Sequence, residues 1–155
     1  MQTNRWLGAL AGGLGGLLGG LVKMGCEGAV PPRPEGREQP PWVLAKNVWR
    51  SWTGAELDPE LEKPVTLAIH FGFSIGSGAG YGALAETVPQ VTVGYGSAHG
   101  IANWVGAHEI SLTALELTPP LAELPVSEQI NEAVSHAIWG IAVELVRRPM
   151  RGLAA

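Results

Sequence analysis

The chain has 155 residues, enough for one domain, and only 15% of them are charged, against about 25% in a typical soluble domain. Its formal charge is −4 and no basic stripe is present, so nucleic acid is not an expected partner. The single cysteine, Cys26, excludes an internal disulfide. The sequence contains no HExxH, CxxC or phosphate-loop motif, and we therefore expect no enzymatic activity.

Four charge-poor stretches rich in Gly, Ala, Leu and Val predict four membrane-spanning helices. They cover residues 6–29, 64–86, 92–116 and 130–147. At about 1.5 Å per residue, each is long enough, or nearly so, to cross roughly 30 Å of hydrocarbon, and the fourth is the shortest. The predicted fold is an all-α integral membrane four-helix bundle that forms one domain over residues 1–155. The alternative is a soluble helical protein with a glycine-rich core.

The first span carries glycines at a strict spacing of four residues, namely Gly8, Gly12, Gly16 and Gly20. Small residues at this spacing allow helix backbones to approach closely in lipid, whereas this much glycine would be costly in a soluble helix. The stripe therefore predicts tight packing, either within the chain or against a second copy or another protein of a membrane complex.

The long segment after the first span predicts a short amphipathic helix over residues 41–53, lying on the lipid bilayer surface. Trp42, Trp49 and Trp52 recur near helical spacing and are interleaved with Lys46 and Arg50, a pattern typical of interfacial helices. A small soluble cap is the alternative.

Four spans place both chain ends on one side of the membrane. The numbers of Lys and Arg on the two sides are nearly equal, but the VRRPMR segment directly follows the last span and favours cytoplasmic termini. A cleaved signal at Met24-Gly25-Cys26 is not favoured, because Lys23 occupies a position where such sites carry an apolar residue.

Ionisable side chains from all four spans are predicted to lie at one depth, near the surface opposite the termini. His70 and His136 each lie six residues into their spans, roughly 9 Å deep, and His108 lies roughly 12 Å from the same surface. Ionisable groups are expensive in hydrocarbon, which makes such a layer a candidate functional site. The predicted layer comprises Lys23, Glu27, His70, Ser74, His108, Glu109 and His136.

Three interpretations of this layer stay open. Histidines that titrate near pH 6.5 relay protons or sense acid, with Lys23, Glu27 and Glu109 tuning them. His70, His108 and His136 can instead ligate zinc, copper or iron, or two of them can bind haem axially, although no cofactor is favoured. In a purely structural network, Lys23 pairs with Glu27 and the histidines bond to hydroxyl groups or backbone carbonyls.

Motifs in all four spans resemble those of the YagU-like inner-membrane protein family. The matching residues are Lys23, Glu27, Pro31-Pro32-Arg33, His70, Tyr81, Glu86, His108, Ser111, Thr118-Pro119-Pro120, His136, Glu144, Arg147 and Arg148. This chain departs in its glycine-richer first span, its reworked long loop and His99, which has no counterpart. The resemblance implies a small multi-pass protein of the bacterial inner membrane that is associated with acid tolerance. It supports a pH- or proton-related role and names no substrate.

Overall fold

A computed structural model describes residues 3–34 and 36–153, and within these ranges the chain is helical and contains no strand. The ends of the predicted 1–155 domain lie outside the described residues. The helices are α1 (Arg5–Ala29), α2 (Pro40–Thr53), α3 (Glu62–Ala85), α4 (Ser97–Asn103), which continues into a π-helical segment (Trp104–Leu112), and α5 (Val126–Leu153). Short 3₁₀ turns cover Pro59–Leu61, Pro89–Thr92 and Leu121–Glu123. The all-α prediction is confirmed.

Local signals explain several of these boundaries. The side chain of Asn4 accepts a hydrogen bond from the Leu7 amide at 3.1 Å and begins α1. Pro40 occupies the first turn of α2, where its missing N–H leaves no helical bond unmade. Gly54 ends α2 in the left-handed conformation, at φ 71°.

The third and fourth predicted spans differ most from the observed helices. The third begins five residues later than predicted, at Ser97, because a 3₁₀ turn occupies 89–92 and Gly94 and Gly96 both have positive φ. It then changes to π-helical geometry from Trp104. The fourth was predicted to be the shortest and is the longest, at 28 residues. The prediction counted apolar residues only, whereas the packed face of α5 extends through charged ones.

Neighbouring helices pack antiparallel, with α1 between α3 and α5, and with α4 on another face of α5. The glycine stripe of α1 makes the contact with α3, since a Cβ atom at Gly12 would lie 2.9 Å from the Cα of Gly82. Three stripe positions face α3 backbone in this way, and the pairs are Gly8 with Gly82, Gly12 with Gly78, and Gly16 with Ser74. The glycines therefore serve packing inside the chain.

Buried polar side chains outnumber buried hydrophobic ones in the described structure. Beside a small apolar core around Tyr81, Trp139 and Val143, the buried polar side chains are Lys23, Thr66, Ser74, His108, Glu128, Glu132, Ser135, His136, Glu144, Arg147 and Arg151. Large apolar side chains are exposed along α1, including Trp6, Leu7, Leu10, Leu14, Leu18 and Leu21. One of the described helices, α1, has the length and apolar composition needed to cross a bilayer.

Candidate functional site

Glu132 of α5 is the centre of a buried group of charged side chains. Its side chain is only 1% exposed. One oxygen lies 3.2 Å from Nζ of Lys23, and the other lies 2.6 Å from the guanidinium of Arg33. Lys23 also pairs with Glu27, one helical turn further along α1. We call the whole group the Glu132 cluster, and its members are Lys23, Glu27, Arg33, His108, Glu109, Glu132 and His136.

Two of the predicted histidines belong to this cluster. The rings of His108 and His136 lie 5.9 Å apart, centroid to centroid, in an edge-to-face arrangement. The π-helical segment delivers His108 and Glu109, and α5 delivers His136 one turn after Glu132. π-Helical segments are rare in proteins, and those that occur often lie at functional sites. The structure thus brings together side chains that lie more than 100 residues apart in the sequence.

The hydrogen-bond partners define a neutral tautomer for His108 and the position of one ring hydrogen for His136. Nε2 of His108 lies 3.2 Å from the guanidinium of Arg33, which can only donate, so this nitrogen accepts. Nδ1 of His108 then carries the hydrogen and donates to Glu109 at 2.9 Å. Nδ1 of His136 donates to the backbone carbonyl of Glu132 at 2.7 Å. His108 is therefore uncharged in this arrangement, and a neutral His136 carries its hydrogen on Nδ1.

His70 and Ser74 of α3 bond to α1 and α5 rather than to the cluster. Nε2 of His70 lies 3.3 Å from the carbonyl of Gly20, to which it donates. The hydroxyl of Ser74 donates to the carbonyl of Gly16 and accepts from the indole of Trp139, both at 2.7 Å. His70 nevertheless lines the same cavity as His108 and His136 do, a cavity of about 330 Å³.

With neutral histidines, the Glu132 cluster is one positive charge short of balance. It holds three carboxylates, on Glu27, Glu109 and Glu132, against the two cations of Lys23 and Arg33. One oxygen of Glu109 is buried and has no hydrogen-bond partner in the described ranges. An unbalanced charge is far more costly in a low-dielectric interior than at a surface. A proton on one imidazole would balance the cluster.

A second buried cluster lies at the opposite end of the helices, and the sequence analysis did not predict it. Glu144 accepts from Nε and from the terminal nitrogen of Arg147, at 2.7 and 2.9 Å, and from the phenol of Tyr81 at 2.8 Å. Glu86 accepts two bonds from Arg151 at 2.7 Å and lies 3.7 Å from Arg147. We call these five residues the Glu144 cluster. Its two carboxylates and two guanidinium groups balance.

Two members of the Glu132 cluster, Glu132 itself and Arg33, were missed by the site prediction. Glu132 falls near the predicted start of the fourth span, where an acidic residue is expected to lie at the membrane surface. Its position four residues before His136 was the available signal, because this spacing puts both side chains on one helix face. Arg33 lies in the loop after α1, and its contact with Glu132 spans 99 residues. Local sequence carries no signal for that contact.

The predicted metal ligands do not form a ligand set among the described residues. In the part of the chain that it describes, no three His, Cys, Asp or Glu side chains are placed to hold a metal ion together. His70 bonds to backbone, and the two ring nitrogens of His108 are engaged by Arg33 and Glu109. Ligation by His70, His108 and His136 stays a prediction.

Comparison with known proteins agrees with the resemblance noted in the sequence. Residues 17–145 match a family described as a protein of unknown function, DUF1440. The chain is also 35% identical over 82 residues to inner membrane protein YagU of Escherichia coli strain K12; the match covers 53% of this chain and 40% of that protein. No solved structure matches the chain. The predicted family is thus confirmed, and the chain belongs to the YagU-like DUF1440 family.

Proposed function

We propose that the protein is integral to the bacterial inner membrane, with α1, α3, the α4 and π-helical segment, and α5 crossing the bilayer. The positions of charged and apolar side chains support this: Glu132, Glu144 and Arg147 are buried between helices, whereas large apolar side chains of α1 are exposed. Charged side chains in membrane helices face the bundle interior and pair there. The inner-membrane relative supports the same location, and the VRRPMR segment favours cytoplasmic termini.

Within this membrane fold, the proposed role is a non-enzymatic response to acid in which the Glu132 cluster takes up a proton. The observation that carries the proposal is the missing positive charge of the cluster. The charged groups around its two imidazoles are Lys23 and Glu27 from α1, Arg33 from the loop, Glu109 from the π-helical segment and Glu132 from α5. Of the side chains present, the imidazoles are the ones that ordinarily titrate near neutral pH.

Protonation of His108 would also change the hydrogen bonds that it makes with Arg33 and Glu132. Nε2 of neutral His108 accepts from Arg33, and a protonated Nε2 cannot accept. The same nitrogen lies 3.5 Å from an oxygen of Glu132, which can accept from it. Proton uptake would therefore weaken the contact of Arg33 with the cluster and strengthen the contact of His108. Arg33 belongs to the segment that leads into α2. The weaker contact of Arg33 would therefore affect α2, the helix proposed to lie at the membrane surface.

The test is to count protons taken up on acidification. We expect the wild-type protein in detergent to take up about one proton more per chain between pH 8 and pH 6 than the double variant His108→Gln/His136→Gln, which keeps His70 outside the cluster. A dye titration or potentiometric titration measures the difference. Equal uptake by the two proteins would overturn the proposal.

His99→Gln is the matched control for this experiment. The ring of His99 is stacked on Tyr81 at 4.5 Å and lies 5.6 Å from Trp139, away from the Glu132 cluster. We expect proton uptake of this variant to equal that of the wild type. The same proteins in vesicles carrying a pH-sensitive dye would then distinguish proton binding from proton conduction.

The other two interpretations have separate tests. Elemental analysis and a visible spectrum of the purified protein test metal or haem binding. A role in assembly would use a face of α1 other than its glycine stripe, since α3 occupies that stripe within the chain. Replacing exposed Leu14 and Leu21 would then change the oligomeric state in detergent, whereas changing Gly12 would disturb folding first.

A further inference from the structure

The cavity beside the Glu132 cluster lies between α3 and the π-helical segment. In the described chain, α3 packs mainly on α1, and α4 packs mainly on α5. One bond, from the Ser77 hydroxyl to the Asn103 amide oxygen at 3.3 Å, joins α3 to α4. Beyond it, His70 and Phe73 line one wall, and Ala107 and Ser111 line the other. At the membrane surface, Pro40 and Leu44 of α2 cover the cavity.

The two sides of this cavity have opposite character. Its outer side carries Phe73 and Leu115, which are 52% and 58% exposed and would face lipid in the proposed membrane orientation. Its inner side carries buried Lys23, His108 and His136. An apolar side combined with a few convergent polar groups is typical of sites for small ligands. Here the arrangement matches a molecule with an apolar chain and a polar head.

The polar groups of the inner side include donors and acceptors. Lys23 and Arg33 have only N–H donors. His136 and His70 each spend one ring nitrogen as donor to a backbone carbonyl, of Glu132 and Gly20 respectively. When these rings are neutral, the second nitrogen of each is an acceptor, and it makes no hydrogen bond within residues 3–34 and 36–153. A complementary head group must both accept and donate.

We propose that this cavity binds a single-chain carboxylic acid, which enters from the lipid with its carboxyl group protonated. The carbonyl oxygen accepts from Arg33 or Lys23, and the O–H donates to an imidazole nitrogen of His136 or His70. A neutral head enters hydrocarbon more readily than a charged one, and it adds no charge to a cluster that already has a carboxylate in excess. An ammonium head would face the N–H groups of Lys23 and Arg33.

The volume of the cavity favours a ligand with a single acyl chain. Its volume of about 330 Å³ is at the lower end of the range for ligand pockets, roughly 300–1,000 Å³, which favours one short acyl chain over a two-chain phospholipid. The proposal rests on the membrane orientation but not on proton uptake by the cluster. Absence of binding would therefore leave the proton-uptake experiment unaffected.

The first experiment measures binding of radiolabelled dodecanoic acid to the full chain in maltoside detergent. We expect saturable binding of one molecule per chain. Ala107→Phe places a ring inside the cavity and should weaken binding at least tenfold. Ala102→Phe adds the same ring at an exposed position of α4 and should leave binding unchanged. Thermal unfolding of both variants verifies that each is folded.

Competition then identifies the head group. Methyl dodecanoate has the same chain but no O–H to donate, so we expect it to compete about tenfold more weakly, which corresponds to the loss of one hydrogen bond to a buried partner. Dodecylamine should compete no better than the ester. The proposal is overturned by equal competition from acid and ester, by stronger competition from the amine, by equal effects of the two alanine substitutions, or by absence of saturable binding.

Discussion

The two buried polar clusters lie at opposite ends of the same helices and differ in kind. The Glu144 cluster is built from Arg and Glu with a Tyr, its formal charges balance, and each carboxylate receives at least two hydrogen bonds. The Glu132 cluster contains two histidines, lacks one positive charge and adjoins a cavity. Both clusters bury charged side chains, so burial alone does not identify the cluster proposed to respond to pH.

The difference lies in which side chains supply the positive charge. An arginine stays charged at every pH that the folded protein experiences, so the Glu144 cluster has no means of changing its state near neutrality. A histidine supplies a positive charge only when protonated. One end of the molecule is therefore electrostatically fixed, and it also connects the start of α1 with the end of α5, since the Asn4 amide and Arg151 both bond to Glu86. The other end can change.

The largest effect is expected from Glu144→Gln. The substitution keeps the shape of the side chain and the bond from Tyr81, but it removes the carboxylate that accepts two hydrogen bonds from buried Arg147. An uncompensated buried charge destabilises by about 3–5 kcal/mol. Thermal or denaturant unfolding in detergent, followed by circular dichroism, measures the loss in the free energy of unfolding.

The double variant Glu144→Gln/Arg147→Met serves as the control for charge. It restores the balance between cations and carboxylates, so we expect it to recover part of the lost stability. A double variant that is less stable than Glu144→Gln would mean that the individual hydrogen bonds of Arg147, and not the balance of charge, hold this end of the molecule together.

The helices and their packing faces were largely predictable from local sequence. The four-residue spacing of Gly8, Gly12 and Gly16 predicted close helix packing, and the structure places α3 against it. Spacing of apolar residues also located α1, α2 and α3 to within a few residues. These features depend on periodicity within one segment, which a single sequence contains. The π-helical geometry of residues 104–112 does not arise from any such periodicity.

The predicted polar layer was less complete, because its centre depends on long-range contacts. Lys23, His108 and His136 were predicted from their depth in separate spans, and all three lie beside Glu132. Depth alone did not show that His70 would bond to backbone, nor that Glu132 would join the others. The pairing of Glu86 with Arg151 connects residues 65 positions apart. Each residue by itself indicates only that a membrane span ends nearby, so the sequence does not predict the pair.

A smaller loss of stability is expected from Glu132→Gln, even though Glu132 is at least as buried as Glu144. Removing this carboxylate takes away the partner of Arg33 but leaves two cations and two carboxylates in the cluster, which becomes neutral overall. The expected loss is therefore that of charged hydrogen bonds, about 1.5–3 kcal/mol. The variant should also lack the additional proton uptake between pH 8 and pH 6, because its cluster is balanced without a proton. Unfolding and proton counting on one preparation measure both.

A larger loss for Glu132→Gln than for Glu144→Gln would contradict this comparison. It would mean that the direct contacts of Glu132 with Lys23 and Arg33 outweigh the net charge of the cluster. Unchanged proton uptake in the variant would separate the two properties and would remove the charge count as the reason for uptake.

The smallest effect is expected at an ion pair outside both clusters. The guanidinium of Arg50 donates to Glu56 at 2.8 Å, and the two side chains are 57% and 71% exposed. This hydrogen bond lowers the pKa of Glu56 below its ordinary value of 4.5. Because that pKa is lower in the folded than in the unfolded chain, the pair stabilises the fold above the ordinary value, and the contribution disappears as the pH falls through the lowered one.

Arg50→Ala should therefore raise the pKa of Glu56 towards 4.5 and leave the unfolding temperature at pH 7 unchanged, since water and salt screen an exposed pair. Carbon-detected NMR of the Glu56 carboxyl measures the first effect, and calorimetry measures the second. This variant removes an exposed pair whose single hydrogen bond is similar in length to the two that join Glu144 to Arg147, so it compares an exposed with a buried ion pair. A drop in unfolding temperature comparable to that of Glu144→Gln would show that the buried clusters owe their stability to pairing itself and not to their low-dielectric surroundings.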